Sequence, residues 1–170
     1  MRKTLMLLLI AVVGIVCPCR AIDGDATNEM NAETVLSWMK LSPKTTNQDA
    51  VTSLLGKPAS VEENKKRTWW HYSKNNTSLT ISWNNKSALP EKFSFTCLNQ
   101  VKNNFDTRIS GRLKSGVTDV AQAIKILGVP KDMTIKAVTQ EMHYAYQNSV
   151  LRLFFRNGTL VDFTLMYQKS

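Results

Sequence analysis

The chain has 170 residues, 43% of them hydrophobic, and carries 22 Lys and Arg against 13 Asp and Glu, for a formal charge of +9. The basic residues are scattered rather than clustered, which argues for a solvated surface over a nucleic-acid site. No apolar run reaches the roughly 20 residues that a membrane-crossing helix needs.

In chain order, Met1-Arg2-Lys3 precedes an uncharged run from Leu5 to Cys17, and the small residue Ala21 follows Cys19-Arg20. This pattern predicts a secretory signal over residues 1–21 and a periplasmic or secreted protein. Cys17 and Cys19 keep a lipid anchor open as the alternative. Val16 and Pro18 precede them where acylation normally needs a small residue, so plain cleavage is favoured. Cleavage after Ala21 leaves Cys97 as the one thiol, so no internal disulfide forms and packing must hold the fold.

From Ile22 onward, Val35, Leu36, Trp38 and Met39 give a first apolar helical stripe. Thr46 with Asp49 reads as a capping-box-like start for a helix whose face is Val51, Leu54 and Leu55. Gly56 supplies a left-handed stop and Pro58 prevents resumption. The period then changes to two. A weak strand is expected near Val61, followed by strands through Trp70 and Tyr72, through Leu79, Ile81 and Trp83, and through Phe93, Phe95 and Cys97.

A polar joint over Asn99 to Asn104 leads to the same succession again. It comprises a thin stripe of Val101, Phe105 and Ile109, then a helix face of Val120, Ala123, Ile124 and Leu127, then Gly128 and Pro130. A weak strand from Thr134 to Val138 precedes strands through Met142 and Tyr144, through Leu151, Leu153 and Phe155, and through Phe163, Leu165 and Tyr167. Asn157-Gly158 marks a hairpin.

A shift of 72 residues superimposes the two halves. Leu41 falls on Leu113, Thr46 on Thr118, Leu55-Gly56 on Leu127-Gly128, Pro58 on Pro130, His71-Tyr72 on His143-Tyr144, and Leu79 on Leu151. After a two-residue contraction Phe93 falls on Phe163. The expected fold is α+β: two tandem repeats, residues 22–100 and 101–170, each a helix-loop-helix followed by a small antiparallel sheet of three to four strands. Units this small are marginal alone and lean on each other.

The stretch from Leu113 to Thr118, the exit Leu127-Gly128-Val129-Pro130, its first-half counterpart and the tyrosine-bearing strand resemble the β-lactamase inhibitor protein family. The single unit is also similar to small outer-membrane-assembly lipoproteins of SmpA/OmlA type. The resemblance implies a protein-binding role, with the sheets joined into one curved surface and the helices on the opposite side. It does not supply the partner, because one fold serves many. The single mature cysteine departs from the inhibitor's disulfide-stabilised units.

Among chemistry-bearing residues, His71 and His143 occupy matched strand positions. A metal needs three or four converging ligands and Cys97 lies in the apolar phase, so neither a metal nor a cofactor is expected. No nucleophile motif accompanies either histidine, which argues against an enzyme. Trp69 lies in the polar phase, either as an interface anchor or as a residue covered by the neighbouring unit. Phe154 and Met166 break the polar phase of the second half, with Arg152 and Arg156 flanking Phe154. Triplets of Asn-x-Ser/Thr type at Asn75, Asn76, Asn85 and Asn157 reflect turn composition.

If the period-two reading holds, Trp69, His71, Thr80, His143, Arg152 and Phe154 share one sheet face, the candidate site for an extracytoplasmic protein partner. An envelope-assembly component and a hydrolase are the competing functions.

Overall fold

A computed structural model describes residues 33–98 and 102–168. The signal segment, both N-terminal cysteines and Val101 lie outside the described residues. Helix α1 covers 33–38. It is followed by α2 (Gln48–Leu55), β1 (Ser60–Glu63), β2 (Arg67–Lys74), β3 (Thr77–Asn84) and β4 (Pro90–Cys97). Then come α3 (Thr107–Ser110), α4 (Val120–Leu127), β5 (Asp132–Ile135), β6 (Thr139–Ala145), β7 (Ser149–Arg156) and β8 (Thr159–Tyr167). Among the described residues no helix is long and apolar enough to cross a membrane.

The eight strands form one antiparallel sheet in chain order. This overturns the expected fold of two helix-loop-helix units, each followed by its own small sheet. The decisive contact is between β4 and β5, where Phe93 faces Ile135 and Phe95 faces Met133. Left alone, β4 would present unpaired amides and an apolar margin, and pairing it with β5 removes both costs. One hydrophobic cluster accordingly runs through both halves, from Val35 and Val51 to Ile124 and Leu160. The helices are also shorter than the repeat reading implied. The stripe expected around Phe105 and Ile109 yields only the four residues of α3.

Alternation decides which face the helices cover. In β3, Leu79, Ile81 and Trp83 are buried, and in β7 Leu151, Leu153 and Phe155 are. Trp38 stacks on Phe95 with ring centroids 5.7 Å apart, and the Tyr72 hydroxyl donates to Gly56 O, which sets the helices against this apolar face.

Helix ends are built alike in the two halves, one residue later than Thr46 and Thr118 predicted. Asn47 caps α2 by accepting from Ala50 N at 2.9 Å. Asp119 caps α4 in a reciprocal pair with Gln122. Thr46 and Thr118 instead accept from Ser42 N and Lys114 N, each at 2.8 Å, and tie the preceding loop. Both helices stop at glycines of positive φ, Gly56 at 77° and Gly128 at 76°, where a Cβ would be strained.

The second half has one feature without a described counterpart in the first. Lys102 Nζ donates to Leu127 O at the end of α4 and lies 4.9 Å from the Tyr144 ring centroid. The helix dipole and the ring both favour its charge. Burial opposes that charge and lowers the pKa to about 8, an effect partly offset by Cys97.

Candidate protein interface

The face opposite the helices carries no element of its own among the described residues. Its side chains are set by cross-strand register. His71 faces Thr80 and continues through Ser94, Thr134, Glu141 and Phe154 to Asp162. A parallel row runs from Ser78 through Thr96, Asp132, His143 and Arg152 to Thr164. Trp69 lies between Glu62 and Ser82.

All six candidate residues occupy this face, but they form two groups. Trp69, His71 and Thr80 are half-buried on β2 and β3. His71 Nδ1 lies 3.1 Å from Thr80 Oγ1, and Nε2 lies 3.6 Å from Glu62 Oε1. His143, Arg152 and Phe154 occupy β6 and β7, where His143 Nε2 meets Glu141 Oε1 at 2.7 Å and Arg152 is exposed. Between the groups, β4 and β5 contribute Ser94, Thr96, Thr134 and Asp132. His71 and His143 are four strand spacings apart, about 19 Å, so they do not share a site.

Of the second group only Phe154 lines a groove, of about 420 Å³, which it shares with Val138, Val161, Glu141, Lys136 and Arg156. Val138 is 40% exposed and Val161 49%, so apolar surface and charges of both signs line the groove together. This is the composition of a contact surface with an aromatic anchor. Sequence reasoning missed Glu62, Glu141, Val138 and Val161. Glu141 was accessible from period two, since it lies two residues before His143. Glu62 needed the β1–β2 register, and Val161 sits at the irregularity between Asp162 and Leu160 that turns its side chain.

Comparison with solved structures places this arrangement. A "putative beta-lactamase inhibitor protein" from Streptococcus mutans is similar over 80% of this chain and 96% of its own, at 15% identity and a TM-score of 0.52. The likeness is one of fold. A DUF4309 family protein from Bacillus subtilis aligns over 85% of this chain and all of its own, at 11% identity and a TM-score of 0.29. No protein-family model matches the chain, and no curated protein matches it. The distant inhibitor-like fold agrees with the resemblance drawn from the helix-exit motifs. No sequence family is shown.

Proposed function

We propose that the chain is an exported, non-enzymatic module that binds another extracytoplasmic protein through the helix-free sheet face. The observation that carries this reading is Phe154, half-buried between Arg152 and Arg156 beside an apolar groove on a face that no helix covers among the described residues. Trp69 provides a second aromatic contact five strand spacings away across the sheet, about 24 Å, so the binding surface would be broad rather than a pocket. The likeness of fold to the Streptococcus mutans inhibitor protein adds weight to an inhibitor-like role toward a partner enzyme. The 72-residue correspondence, seen in Tyr72 facing Leu79 and Tyr144 facing Leu151, supports reading residues 22–100 and 101–170 as duplicated units sharing one sheet. The sequence from Met1 to Ala21 supports export.

Affinity capture from periplasmic and culture-supernatant fractions tests the reading, with Phe154→Ala and Trp69→Ala chains as parallel baits. A protein retained by the unaltered chain and lost from either variant is the expected result. Equal recovery on all three baits would sink it. The mass of the isolated protein tests export separately, with a start at Ile22 expected.

A further inference from the structure

A strand that ends a sheet exposes unpaired amides and carbonyls, and folded proteins blunt such edges with brevity, charge, proline or cover. The two edges of this sheet differ. β1 has four residues, all exposed, and ends in Glu62-Glu63. β8 has nine residues and a single charge, Asp162, with no Lys, Arg or Pro.

Cover reaches only the start of β8. Leu160 N donates to Thr118 O, Gly116 N to Leu160 O, and the Ser115 hydroxyl to Val161 O, each at 2.8 Å. Among the described residues no further strand pairs with this edge, and no backbone hydrogen bond reaches its outer side from Asp162 to Gln168. Gln168 N turns inward to Asn148 O at 2.9 Å. By the alternation of an antiparallel ladder, the amides and carbonyls of Phe163, Leu165 and Tyr167 therefore point outward. Phe163 N is occupied only by the neighbouring Asp162 Oδ1.

The matching edge in the first half is closed. Phe93, Phe95 and Cys97 face Ile81, Leu79 and Thr77 as Phe163, Leu165 and Tyr167 face Leu153, Leu151 and Ser149. With β5 against them, the first three are at most 3% exposed. Without a following strand, Tyr167 is 66% exposed, and Phe163 and Leu165 are only partly buried.

We propose that β8 pairs antiparallel with β8 of a second copy of this chain, about a two-fold axis at Leu165, continuing the sheet as β5 continues it past β4. This register sets Leu165 against the partner's Leu165, Phe163 against the partner's Tyr167, and Asp162 against the partner's Gln168. Apolar side chains meet on the helix side, and no like charges oppose each other. The seven residues so paired are those the 115–118 loop leaves free. Docking of β1 in the manner of β5 would instead set Glu63 against Phe163, which disfavours a head-to-tail chain of copies. The proposal is independent of the open-face reading.

Sedimentation equilibrium and amide hydrogen exchange on the purified protein, from low to high micromolar concentration, test it. Mass should rise toward twice the monomer while exchange at Phe163, Leu165 and Tyr167 slows in step. Tyr167→Lys should weaken association at least tenfold. A monomer throughout, a dimer whose β8 amides exchange freely, or protection of these amides in the monomer by the chain's own residues would each overturn it. The exchange result on the unaltered protein decides the question even if the variant fails to fold.

Discussion

Replacing Lys102 with Met removes a charge that the fold largely buries. Its amine is held at about 8, mainly by burial, against an ordinary 10.5. Below pH 8 the folded and unfolded chains are both protonated there, and the fold carries the full cost of burying the charge, relieved by Leu127 O and the Tyr144 ring. Between about 8 and 10.5 the unfolded chain binds more protons, so stability rises with pH, by about 3 kcal/mol across the window. Met fills similar space and does not titrate. Cys97, Tyr72, Tyr144 and Tyr146 are all raised by burial, so their contributions fall as pH passes their ordinary values. The tyrosines are present in both proteins and largely cancel in the difference, whereas the Cys97 thiol loses the lowering influence of Lys102 in the variant, which acts in the same direction. Urea unfolding at stepped pH should show the stability of the unaltered chain, relative to Lys102→Met, improving by about 3 kcal/mol between neutral pH and pH 10.5. A difference that stays constant with pH would refute the assignment of Lys102 as a desolvated charge.

Leu153 is fully buried, between Met142 and Phe163 across the strands, so Leu153→Ala should cost about 3 kcal/mol in urea or thermal unfolding, while Phe154→Ala on the other face should cost under about 1 kcal/mol. Gly56→Ala and Gly128→Ala should each cost about 1 kcal/mol through positive φ. A Cβ at Gly128 also meets Lys102 Nζ at 3.1 Å, whereas one at Gly56 meets nothing within 4 Å. Gly128→Ala should therefore cost more, and unfolding in a Lys102→Ala background, which removes the contacting side chain, should show that excess vanish.

The longer strands were legible because each pairs an apolar phase with a polar one, as in Leu79-Thr80-Ile81, whereas β1 is exposed throughout. The helix stops were legible because Gly56 and Gly128 are each followed within two residues by proline. The join between halves was implied by the resemblance alone and was not legible in the residue pattern. Periodicity assigns Phe93, Phe95 and Cys97 to a face but carries no information about which strand lies beside them, and β5 arrives from more than 30 residues away in sequence. Caps were misplaced by one residue because Thr and the following Asn or Asp both offer an accepting oxygen, and only the backbone turn decides between them. The site shows the same division. Period two placed all six candidates on one face, while their separation into two groups depends on the number of intervening strands.

The central claim is that the helix-free face makes the contact with a protein partner, and titration calorimetry of the captured partner against Phe154→Ala tests it most directly. Ile126→Ala, on the helix side, is the control. A loss of about 2 kcal/mol, roughly thirtyfold in affinity, with Phe154→Ala and none with Ile126→Ala is the predicted result. Unchanged affinity in Phe154→Ala, or a loss confined to Ile126→Ala, would contradict it.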